Sequence, residues 1–76
     1  MPTGHPTIRV AFGTRLRELR NRAGLTQEKL ALRAELDRSY VGQVERGEVN
    51  ISIENIAKLA AGLSVRPLEL FEFADE

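Results

Sequence analysis

Wound as a helix at about 100° per residue, residues 37–46 place Arg38, Ser39, Gly42, Gln43 and Arg46 in one sector. Val41, Val44 and the ring of Tyr40 fall opposite. The apolar sector is ordinary core. The other carries several side chains that reach out and donate hydrogen bonds, which suits holding acceptor groups and anions rather than making or breaking bonds. Little else in the chain offers bond chemistry. There is no cysteine, no glycine-rich phosphate loop, and a single histidine, His5, set among prolines and a glycine. A metal site needs about three or four donors, so His5 is expected to be solvated and no metal or cofactor is implied. Acidic pairs fall on faces expected to be exposed, where they act as solvated surface. An enzyme is therefore the weakest of the functional classes.

The formal charge is zero, but it is unevenly spread. Residues 1–46 hold nine Lys/Arg against five Asp/Glu, a balance of +4, and residues 47–76 hold two against six, a balance of −4. A polyanion is expected to meet the first half. At 76 residues the chain is one domain with a thin core that a partner subunit would help to complete. No apolar run approaches the ~20 residues needed to cross a membrane, and the N-terminus has no apolar stretch of the signal-peptide kind. The chain reads as cytoplasmic, and no small-molecule effector is evident.

The elements that must position the donor face are short helices, with no strand pattern and no repeat. Residues 1–7 read as a flexible arm and residues 74–76 as a tail, leaving a domain over residues 8–73. Phe12, Leu16, Leu19 and Ala23 keep a helical spacing that predicts a first helix over about residues 8–22, with Gly24 as its stop. Thr26 is the N-cap of a second helix that buries Leu30, Ala31 and Ala34 and ends near Glu35. Asp37 caps a third, ending at Gly47. Ser52 caps a fourth, in which Ile56, Leu59, Ala60 and Leu63 continue the period. Pro67 suits the first position of a fifth, reaching about Phe73. Five helices joined by short turns predict a compact all-α domain.

The second and third helices are too short to stand alone and are separated by a tight turn, which is the sequence form of a helix-turn-helix. The stretch "GLTQEKLALRAELDRSYVGQVERGE" resembles the phage repressor and Cro-type (XRE) helix-turn-helix family, and the resemblance continues through "NISIENIAKLAAGLSV" and "PLELF", covering about residues 12–71. The G-L-T-Q entry, the L-A pair, the R-S-Y-V front and the V-E-R-G exit match the family pattern in order. "LDRSYVGQVERGEVNIS" is particularly similar to controller proteins of restriction–modification systems, which are small dimeric autoregulators. The chain departs from the pattern twice: Glu35 stands in the turn, and Ser64 after the fourth helix, where the family tends to have glycine.

The resemblance implies a lambda repressor-like fold and a sequence-specific regulator, such as a repressor, that enters the major groove of double-stranded DNA without a cofactor. The third helix is then the recognition helix. Arg38 and Ser39 in its first turn, and Gln43 one turn on, are the candidate base-reading residues. Gln27, Tyr40, Arg46 and Asn50 are the candidate phosphate contacts, with Arg9 as a further one. Tyr40 stays open between a phosphate-binding hydroxyl and plain core. Arg20 and Glu45 occupy positions that the family commonly pairs as a structural ion pair. An antitoxin or a protein–protein adaptor using the same fold is the alternative.

A homodimer is expected from the C-terminal segment. Leu68 and Phe71 can fill the inward side of the fifth helix, leaving Leu70 and Phe73 without shelter and therefore as the expected interface. Two-fold symmetry would set the recognition helices about 34–36 Å apart and demand an inverted-repeat operator.

Overall fold

The computed structural model describes residues 5–73. Four α-helices, α1 (His5–Arg22), α2 (Gln27–Ala34), α3 (Arg38–Glu45) and α4 (Ile53–Leu63), are followed by one 3-10 helix, Pro67–Phe71. No strand occurs among the described residues. α1 starts at His5, three residues before the expected boundary. Pro6 suits this start, because the first turn of a helix has no partner for the N–H that proline lacks. The expected arm is thus helical from His5 onward, and the rest of the arm and the whole tail lie outside the described residues.

Local chemistry accounts for the boundaries. Gly24 ends α1 with φ of 72°. Thr26 Oγ1 accepts from the Lys29 backbone N–H at 3.1 Å, and Ser52 Oγ accepts from that of Asn55 at 3.1 Å, so both cap their helices. Asp37 holds the N-cap position of α3 with extended backbone, but its side chain makes no cap bond. Glu35 and Ser64 take up the left-handed conformation at the ends of α2 and α4, each with φ of 60°. Both turns thus hold a left-handed residue that is not glycine, at about 1–2 kcal/mol each.

The expected fifth α-helix is instead the 3-10 turn. The segment is too short to close an α-helical ladder, and Glu69 N–H bonds the Arg66 carbonyl three residues back at 2.9 Å. The Glu69 carboxylate accepts in return from the Arg66 N–H at 3.1 Å. This corrects the burial pattern too. With about three residues per turn, Leu68 and Phe71 share a side, and it is the outward one. Leu70 is fully buried and Phe73 packs against the core, whereas Leu68 and Phe71 are 61% and 42% exposed. Leu70 therefore cannot be an interface residue.

The core gathers Phe12, Leu16 and Leu19 of α1, Leu30, Ala31 and Ala34 of α2, Val41 and Val44 of α3, Leu59, Ala60 and Leu63 of α4, and Leu70. Ala23 lies exposed just beyond α1 rather than on its apolar face. Arg15 is largely buried and ties the 3-10 segment down: its Nε donates to the Glu69 carbonyl at 2.9 Å, and Nη2 reaches Glu72 at 3.3 Å.

Candidate nucleic-acid interface

α2 and α3 meet across the turn at Glu35, where the Leu36 N–H returns to the Ala31 carbonyl at 2.8 Å. With Val41 and Val44 locked into the core, α3 can face outward in only one orientation. Arg38, Ser39 and Gln43 stand exposed on that side, and Arg46 stands exposed at its C-cap. Gly42 is buried beneath its neighbours: a methyl group there would meet the Arg46 guanidinium at 3.1 Å and the Gln27 amide oxygen at 3.6 Å.

A buried ion pair braces α3 from behind. Arg20 Nε donates to Glu45 Oε2 at 2.6 Å and Nη2 to Oε1 at 3.1 Å, while Nη1 closes on the Leu25 carbonyl at 2.9 Å. Gln27 Nε2 adds a third donor to the Glu45 carboxylate at 2.9 Å. One carboxylate thus ties α1, α2 and α3 together, and its buried charge is answered by three hydrogen bonds. Glu45 has a side chain only 3% exposed, so removing either partner would strand charge in the interior.

The other expected site residues are differently placed. Tyr40 is half-buried, and its hydroxyl accepts from Asn55 Nδ2 of α4 at 3.1 Å. Arg46 is paired with Glu48, Nε to Oε2 at 2.8 Å and Nη2 to Oε1 at 3.3 Å. The hydrogen bond from Arg46 holds the Glu48 carboxyl below the usual carboxylate range, and the same bond raises the pKa of Arg46. Asn50 is exposed and lines an open apolar cleft of about 170 Å³ with Ile8, Arg9, Phe12, Val49, Ile51 and Phe71. Asn55 and Glu48 carry no motif of their own. The signal for Glu48 was its place two residues beyond Arg46; nothing in the sequence pointed from Asn55 to Tyr40.

Among the described residues there is no cluster of metal-ligating side chains, and no helix is long and apolar enough to cross a membrane. The pattern of the helix-turn-helix family HTH_3 matches residues 16–70. The chain belongs to the helix-turn-helix family. Within it, the chain is 40% identical over 67 residues to control protein C.BamHI of Bacillus amyloliquefaciens, covering 87% of this chain and 83% of that protein. It is 40% identical over 65 residues to control protein C.MunI of Mycoplasma sp, covering 84% and 88%. The crystal structure of the restriction-modification controller protein C.AhdI from Aeromonas hydrophila matches with a TM-score of 0.82 at 60% identity, covering 83% of this chain and 96% of that one. This helix-turn-helix protein is a DNA-binding transcription regulator of the XRE type, similar to controller proteins.

Proposed function

We propose that this protein is a homodimer that regulates transcription from an inverted-repeat operator, in the manner of a restriction–modification controller, and that it is not an enzyme. The observation that carries this reading is the exposed donor face of α3, braced from behind by Glu45, on a scaffold 60% identical to C.AhdI. Arg38 and Ser39 at the front of α3 and Gln43 one turn on read base edges. The Arg38 guanidinium offers the fork that fits guanine O6 and N7. Gln27, Tyr40, Arg46 and Asn50 hold phosphates and set the register without reading sequence.

The contact between copies is assigned to the apolar surface that the fold leaves open. Phe71, 42% exposed, packs at a tilt of 51° against Phe12 with ring centroids 5.2 Å apart and forms one wall of the open cleft, and Leu68, three residues before it, is exposed too. A second copy laid there would cover surface that a domain with so thin a core has no means of burying alone.

Binding to duplexes selected from a random pool, compared with binding to random duplex, tests the reading. Arg38→Ala is expected to cost about 1–3 kcal/mol on the selected duplex and much less on the random one. Equal losses on both would make Arg38 a phosphate clamp. Binding to both should weaken steeply with salt as counterions compete, whereas an adaptor would show little salt-dependent binding to either.

A further inference from the structure

Asn55 stands in the first turn of α4, its backbone N–H held by the Ser52 cap and its side-chain amide 3.1 Å from the Tyr40 hydroxyl in the first turn of α3. Fifteen positions separate the two residues in the chain. The Tyr40 ring packs against the core, so the ring's plane is fixed and only the hydroxyl proton remains free to turn. A phenol oxygen that accepts a hydrogen bond keeps one proton to donate. With Asn55 Nδ2 filling the acceptor side, that proton is directed away from α4.

We infer that Asn55 is a positioning residue for DNA binding: by donating to Tyr40, it commits the Tyr40 hydroxyl to donating outward to a backbone phosphate. The inference rests on the assignment of Tyr40 as a phosphate contact. Donation from Asn55 also polarises the phenol and strengthens the bond it gives onward, as in any chain of hydrogen bonds. Because α4 is registered by its own Ser52 cap, the cap, the amide and the hydroxyl form a relay that sets the front of α3 from the start of α4.

A double-mutant cycle on a random-sequence duplex at fixed salt tests this, with Tyr40→Phe and Asn55→Leu singly and together. Each single variant is expected to weaken binding about tenfold, as the loss of a hydrogen bond to a charged group does. The double variant should be no worse than either single one. Neither single variant should change the salt slope, because a neutral hydroxyl neutralises no phosphate charge and releases no counterion; a changed slope would point to a displaced Lys or Arg instead. In the protein without DNA, Tyr40→Phe should shift the side-chain amide resonance of Asn55, a signature that a purely structural role for Asn55 elsewhere would not produce. Asn55→Ser, a smaller change, guards against loss of fold in Asn55→Leu and should give the same non-additivity. Tyr40→Phe weakening binding while neither Asn55 variant does would overturn the inference and leave the Tyr40 contact standing, and additive losses would overturn it too. Unchanged binding of Tyr40→Phe would instead remove the phosphate contact itself.

Discussion

Gly13 of α1 lies directly against the backbone of Val44 at the end of α3: a methyl group on Gly13 would overlap the carbonyl oxygens of Val44 and Glu45. The recognition helix therefore meets α1 backbone to backbone, and only hydrogen fits between them. Gly13→Ala is expected to destabilise the fold by about 1–3 kcal/mol, as overpacking does, even though alanine is the better helix former. Urea unfolding would show it as a lower midpoint. An unchanged midpoint would mean that α1 and α3 stand farther apart.

The same end of α3 holds the Glu45 carboxylate. Glu45→Ala leaves Arg20 without its partner, and Arg20→Ala leaves Glu45 with Gln27 alone; each is expected to cost about 3–5 kcal/mol. The double variant should lose less than the sum, because neither charge is then stranded. Strict additivity in thermal or chemical unfolding would show that the two side chains act independently.

Phe71→Asp places a carboxylate on the exposed apolar cleft without emptying the core. Sedimentation should then find monomers, and operator binding should fall far more than helical content does. The matching change at Leu70 should unfold the protein, since that side chain is fully enclosed. A Phe71→Asp protein that stays dimeric would move the contact to the exposed first turn of α4, where Ile53 is 81% exposed.

Arg46 is shared between Glu48 and the phosphate assigned to it. Glu48 is bound in the folded state with a lowered pKa, so its small contribution is present at neutral pH and is lost as pH falls through that depressed value. Both side chains are at least half exposed, and solvent screens most of the energy. Glu48→Gln should therefore leave the thermal midpoint nearly unchanged while tightening binding to random duplex, since Arg46 is freed and a negative charge is removed. Carboxyl resonances followed against pH should show Glu48 titrating below the ordinary range, and Arg46→Ala should bring it back up.

The four α-helices and the caps at Thr26 and Ser52 were legible in the sequence, because apolar spacing and short-range capping are local facts. So was the sector of α3 that turns outward, save for Gly42, which the Arg46 and Gln27 side chains cover. What sequence could not carry was distance along the chain compressed into contact. Arg15 looks like one basic residue among several until the Glu69 carbonyl comes to it across 54 positions. Leu70 and Phe71 exchange places for the same reason: Leu68 and Phe71 share a side at either helical period, and only the anchoring of Glu69 by Arg15 decides which side turns inward. Glu35 and Ser64 stand out in the sequence as departures, but only tertiary packing decides that each adopts the left-handed conformation.

α1 carries both Arg20, which grips α3, and Arg15, which grips the 3-10 segment. The reading face and the proposed contact between copies are thus clamped to one rod, with no hinge between them. In such a dimer, the two heads stand at a set separation and a set rotational phase. Inserting one base pair between half-sites moves a half-site about 3.4 Å and turns it about 35° around the axis. A rigid pair cannot follow that rotation, so the spacer of the operator works as a vernier: DNA with the right letters at the wrong phase is passed over.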